Sequence, residues 1–176
     1  MLPNLPCNHF TFRTRVAAFL MLKILFVCTG NTCRSPMAEA LFNKEIITAN
    51  LPYQVISSSA GLYALAGEKA SPVACRLLAE EGLDLSGHRA VQINQDLVDD
   101  ADLIFAMTGE QKKQICSEYP AAAQKTYLLK GYAGEELIND DIADPLGYGP
   151  EKYCLVLEEI RYCIKKIMLK LEGSQR

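Results

Sequence analysis

The chain has 176 residues, 18 Lys and Arg against 21 Asp and Glu for a formal net charge of −3, and 49% hydrophobic residues. That suffices for one globular domain with a buried core, and no uninterrupted run of about 18 apolar residues offers a membrane span. The charge balance leaves no basic surplus to neutralise a phosphodiester backbone, which argues against nucleic acid as a partner. Seven irregularly spaced cysteines without a CxxC pair suit neither a disulfide scaffold nor a zinc ribbon, so the reducing cytoplasm is the expected compartment.

Residues 1–20 imitate a signal peptide, with Arg13, Arg15 and the apolar run "VAAFLML". Lys23 interrupts that run, no small-residue cleavage site follows, and cleavage there would remove the next strand. These residues are therefore expected to be an extension, or to lie upstream of a start at Met21, with one domain over 21–173. From Leu22, apolar strand-type runs alternate with helical stretches. "LKILFVC" (22–28) is a short run that stops at a glycine-containing turn, as a strand buried on both faces does. Ser35 and Pro36 then have the form of an N-cap followed by proline at the first helical position, which predicts a helix to about Asn50. "YQVISSS" (53–59) is a second strand and 61–70 a loop. Ser71, Pro72 and Gly82 frame a second helix. "ADLIFAM" (101–107) reads as the third strand, 109–118 as a short helix and "KTYLL" (125–129) as the fourth strand. Tyr153, Val156, Leu157, Ile160, Ile164, Ile167, Met168 and Leu171 recur at three- and four-residue steps and predict a long final helix.

This alternation predicts an α/β fold in three layers, a four-stranded parallel sheet with helices on both faces. Sheets of that kind bind ligands at the carboxyl ends of their strands, where Cys28 stands. Cys28 and Arg34 in "CTGNTCR" enclose five residues, a spacing also found in "CNHFTFR" at Cys7 and Arg13. About 0.3 such spacings arise by chance in a chain of this composition, so spacing alone decides nothing. The Cys7 copy lacks glycine, carries two phenylalanines and has no strand-to-helix setting. The Cys28 copy has the setting, with Gly30 for conformational freedom and the small or polar residues Thr29, Asn31 and Thr32. Its successive backbone N–H groups can form an anion nest at a helix N-terminus. The same field favours the thiolate, the nucleophilic form of cysteine. Arg34 adds a planar fork of donors that fits two phosphate oxygens.

"VCTGNTCRSPMAEA" resembles the signature loop of the low-molecular-weight protein tyrosine phosphatases, and "DP" at Asp144 and Pro145 resembles that family's general-acid loop. "SSAG" (58–61), "SGHRA" (86–90) and "ADLIFAM" fall in the family's order, so the resemblance covers about Met21 to Leu171. It implies the phosphotyrosine phosphatase I topology and a hydrolase acting on phosphorylated protein side chains. It further implies Cys28 as nucleophile, Arg34 as phosphoryl clamp and Asp144 as general acid and then base, with no metal or cofactor, and a monomeric enzyme. Asn31, Ser35, Ser59 and His88 match positions that hold the loop, although each also has an ordinary reading: turn residue, helix cap, strand-end polar residue and surface histidine. Cys33 is either a partner for a reversible disulfide with Cys28 or a small buried residue beneath the loop. Cys75, Cys116, Cys154 and Cys163 read as core filler on helices.

Tyrosine-directed members carry a bulky aliphatic residue where this chain has Thr32, and aromatic residues directly after Asp-Pro, where it has Leu146 and Gly147. "CTGNTCRS" instead resembles the protein-arginine phosphatase branch, so phosphoarginine is the expected substrate and phosphotyrosine the alternative. Tyr148 could still supply an aromatic wall. A thiol-dependent arsenate reductase would need further redox cysteines, and Met107 stands near the place of one. A non-catalytic phosphate-binding module would have no use for Asp144.

Overall fold

The computed structural model describes residues 21–49, 51–134 and 140–173. Four parallel strands form one sheet in the order β2-β1-β3-β4: β1 (Met21–Cys28), β2 (Gln54–Gly61), β3 (Leu103–Ala106) and β4 (Thr126–Leu128). The helices are α1 (Arg34–Thr48), α2 (Pro72–Ala79), α3 (Gln95–Asp100), α4 (Gly109–Glu118), α5 (Leu129–Ala133) and α6 (Pro150–Gly173), with a 3-10 turn at Pro120–Gln124.

The period of two along β1 divides the core. Ile24, Phe26 and Cys28 face a cluster built by Met37, Leu41 and Phe42 of α1 and the apolar stripe of α6. Leu25 and Val27 face the opposite cluster, with Val98 of α3, Ile115 of α4 and Ala122. With both faces covered, β1 has no polar side and reads as a continuous apolar run. All eight residues of the predicted α6 stripe are buried, joined by Cys163. Chain order places β2 and β3 on opposite sides of β1, so the sheet reverses its winding there and leaves a crevice beyond Cys28.

Several local expectations need correction. Helix α1 begins at Arg34 with Cys33 as N-cap, so Ser35 lies inside the first turn and its hydroxyl is free for the site. Ser71 is the N-cap of α2, but its hydroxyl donates to Tyr153 Oη at 3.0 Å rather than to the helix backbone. Helices α3 and α5, of six and five residues, are too short to show a helical period. Asn94 marks α3 by accepting the Leu97 N–H at 2.9 Å. Of the four cysteines expected as core filler, only Cys163 is buried. Cys75 and Cys116 are partly exposed, and Cys154 faces outward from α6. Cys7 and its loop lie outside the described residues.

Candidate active site

Residues 28–34 turn from the end of β1 into α1 and coil around the Cys28 sulfur. Asn31 N–H donates to Cys28 Sγ at 3.3 Å, and Ser35 Oγ stands 3.0 Å from it. The Asn31 N–H brings a hydrogen-bond donor to the buried sulfur. Ser35 has one hydroxyl proton and two acceptors for it, the sulfur and the Ala60 carbonyl at 3.2 Å.

Asn31 is the hub of the loop. It is fully buried and left-handed at φ 54°, whereas Gly30, expected to supply the conformational freedom, has no positive φ. Asparagine tolerates that region better than most side chains. Its amide donates to Ser35 Oγ and Ser59 Oγ, both at 2.9 Å, and its Oδ1 accepts the Val91 N–H at 2.8 Å. His88 Nε2 reaches the Asn31 carbonyl at 2.7 Å. Asn31, Ser35, Ser59 and His88 are thus brought into one network with Cys28.

Arg34 is buried along its length. Nη1 donates to the Ile142 carbonyl at 3.1 Å, and Nη2 donates to Thr29 Oγ1 at 3.4 Å and to the Asp144 carboxylate. Its Nε–H has no partner among the described residues. Arg34, in the loop that carries Cys28, and Asp144, 110 residues further on, therefore meet beyond the carboxyl end of β1. Thr29, Arg34 and Asp144 line a cleft of about 500 Å³ together with Leu62, Tyr63 and Gln111. Thr32 is not among the lining residues. Its hydroxyl faces Cys33 Sγ at 3.7 Å, and its carbonyl is held by the Ser71 N–H at 2.8 Å. Leu146 and Tyr148 are exposed and are not among the lining residues.

Cys33 sits beneath the loop, 3.3 Å from Tyr153 Oη of α6. Burial pushes its thiol up from the ordinary value, against the lowering effect of the Tyr153 hydrogen bond. Glu39 lies close to Ser59 and His88, and burial raises its carboxyl above the usual range although the Ser59 hydrogen bond opposes this.

Four contributors escaped the sequence reading. Gly61 is required because an added Cβ would lie 2.7 Å from Thr29 O, 2.8 Å from Asn31 N and 2.9 Å from Gly30 C, all backbone atoms. A glycine ending the strand next to the loop strand was the available signal. Gln111 donates from Nε2 to Thr29 Oγ1 at 3.0 Å. Tyr153 was read only as a core residue. Glu39 lies within the signature stretch 27–40 but was given no role of its own.

A buried cysteine in a strand-to-helix anion loop, whose arginine is joined to an aspartate from a distant segment, is the architecture of a cysteine-dependent phosphatase. Residues 23–176 match the model of the low molecular weight phosphotyrosine protein phosphatases, and the chain belongs to that family. A protein-arginine-phosphatase of Geobacillus stearothermophilus is 38% identical over 154 residues, covering 87% of this chain and 98% of that protein. A probable low molecular weight protein-tyrosine-phosphatase, EpsP, of Ralstonia nicotianae is 43% identical over 122 residues, covering 69% and 77%. Among solved structures, a YwlE arginine phosphatase mutant with a phosphorylated active-site serine superposes with a TM-score of 0.81 at 34% identity, covering 88% of this chain and 99% of that one.

Proposed function

We propose that this enzyme hydrolyses phosphoarginine side chains of proteins through a phosphocysteine at Cys28. The observation that carries the chemistry is the convergence of the cradled Cys28 sulfur, the buried Arg34 fork and the Asp144 carboxylate at one strand end. Phosphoryl oxygens take the loop N–H groups and Arg34, including the Nε–H that otherwise lacks an acceptor. Oxygens that occupy Nη2 release Asp144 toward the leaving group. The Cys28 thiolate then attacks phosphorus, the P–N bond breaks, and Asp144 gives its proton to the departing nitrogen. In the second step Asp144 takes a proton from water, the water oxygen bonds to phosphorus, the S–P bond breaks, and inorganic phosphate leaves with the thiolate restored. Ser35, Asn31, Ser59 and His88 hold the loop in shape throughout.

The preference for phosphoarginine is supported by the loop "CTGNTCRS", by Leu146 and Gly147 in place of aromatic residues after Pro145, and by the arginine-phosphatase relative, whose likeness extends over 87% of the chain. The phosphotyrosine reading is favoured by one observation, Tyr63, which borders the cleft and could stack on a phenol. The cysteines of the described residues are free thiols, the state that a reducing cytoplasm maintains. The test is a side-by-side assay of matched phosphoarginine and phosphotyrosine peptides with wild type, Cys28→Ser and Thr32→Ile, with thiol-driven arsenate reduction as a control. Wild type should favour phosphoarginine, Cys28→Ser should be inactive, and Thr32→Ile should shift preference toward phosphotyrosine. A wild-type preference for phosphotyrosine would overturn the substrate assignment.

A further inference from the structure

Gln111 is nearly buried at the start of α4, and its hydrogen bonds determine how its amide is turned. Oε1 accepts from Met107 N–H at 3.1 Å and Thr108 N–H at 3.2 Å, and backbone N–H groups can only donate. The amide oxygen must therefore face the backbone, and Nε2 must face Thr29. The Thr108 capping box, in which Thr108 Oγ1 accepts the Gln111 N–H at 3.3 Å, fixes the residue from the other side.

Thr29 Oγ1 thus receives one hydrogen bond from Gln111 Nε2 at 3.0 Å and another from Arg34 Nη2 at 3.4 Å. A guanidinium has no acceptor, so both contacts run toward the hydroxyl oxygen and use its two acceptor positions. What Thr29 has left is its O–H, on an exposed side chain that lines the cleft. Arg34 Nη2 touches both Thr29 and Asp144, so an oxygen clamped by Nη2 comes within reach of that hydroxyl.

We infer that Thr29 is a hydrogen-bond donor to a phosphoryl oxygen of the substrate, and that Gln111 is the positioning residue that keeps its hydroxyl pointed that way. This rests on the Cys28 phosphatase reading but not on the choice between phosphoarginine and phosphotyrosine, because the phosphoryl group is common to both. Gln111 would act by presenting a donor, not an acceptor, to the Thr29 hydroxyl. With a glutamate there, the backbone N–H groups would keep their acceptor, but the second carboxylate oxygen would draw the Thr29 hydroxyl away from substrate.

The test uses the full chain, with kcat and KM for a phosphoarginine peptide and for p-nitrophenyl phosphate, and inhibition by inorganic phosphate. Thr29→Val should lower kcat/KM about tenfold on both substrates, the effect of losing a donor to a charged acceptor, and weaken phosphate inhibition. Thr29→Ser should keep most of the activity because it keeps the hydroxyl. Gln111→Glu should cost about tenfold in the wild-type background and almost nothing more in the Thr29→Val background. Equal costs in both backgrounds would show that the added charge or a structural change is responsible, and would overturn the inference. So would a Thr29→Val enzyme as active as wild type, a result that decides the matter on its own if Gln111→Glu fails to fold. An active Cys28→Ser enzyme would instead refute the underlying phosphatase reading, so the two failures are distinguishable.

Discussion

Replacing Asn31 by alanine tests how the loop is built. The substitution removes the donor to Ser35 Oγ and Ser59 Oγ and the acceptor of Val91 N–H, three hydrogen bonds in a fully buried setting. At about 1 kcal/mol for each net bond, the loss is about 3 kcal/mol. Alanine must also sit at φ 54°, which adds roughly 1 kcal/mol. Asn31→Gly loses the same hydrogen bonds without the backbone penalty. Urea denaturation should therefore place Ala about 4 kcal/mol and Gly about 3 kcal/mol below wild type, in that order. Activity should fall in both, because Ser35 loses the neighbour that orients its hydroxyl beside Cys28. Equal stabilities for Ala and Gly would refute the backbone part of the reasoning. A cost below about 1 kcal/mol for either would refute the hub role itself.

Asp144→Ala should lower kcat by about 10²- to 10⁴-fold on a phosphorylated peptide, and by less on p-nitrophenyl phosphate, whose leaving group needs little protonation; an unchanged peptide rate would remove Asp144 from the mechanism. Gly61→Ala drives a methyl group into the loop backbone and should cost about 2 kcal/mol of stability with a marked loss of turnover, read by denaturation and steady-state kinetics. Arg161 of α6 forms a two-pronged ion pair with Glu81, just beyond α2, and its hydrogen bonds hold the Glu81 carboxyl below the usual range. A depressed carboxylate stabilises the fold above the unfolded value of about 4.3, and that stability is lost as pH falls through the folded value. Arg161→Met should therefore be about 1 kcal/mol less stable than wild type at pH 7 by urea denaturation, with the difference closing as pH falls below the usual carboxylate range.

Where sequence and structure agree, one physical rule sufficed locally. β1 was legible because burial on both faces removes every polar residue from Ile24 to Val27, and α6 because one long stripe repeats against a single core. Cys28, Arg34 and Asp144 were singled out by their motifs, and the structure joins Asp144 to Arg34 of the Cys28 loop. What stayed hidden depends on contacts between distant segments. Ser35 has the form of a cap but is taken up by the sulfur and by Ala60. Asn31, rather than Gly30, carries the left-handed turn because Ser59, His88 and Val91 from other segments, together with Ser35, hold it there. Gln111 looks like an ordinary capping-box residue, and only the approach of α4 to β1 shows its other end on Thr29. Thr32 marked the branch in the sequence, yet its hydroxyl turns toward Cys33 rather than into the cleft lining.

Tyr153 gives the site a common mooring. It stands in the first turn of α6, a few residues after the acid loop ends, and its hydroxyl reaches under the nucleophile loop to Cys33 and Ser71. The floor of the nucleophile loop and the root of the acid loop are thus tied to the same helical turn. In the proposed mechanism, the spacing between Cys28 and Asp144 is set in part by how that turn seats in the core. A change buried in α6, far from any substrate atom, would reach catalysis by displacing both ends of the reaction together.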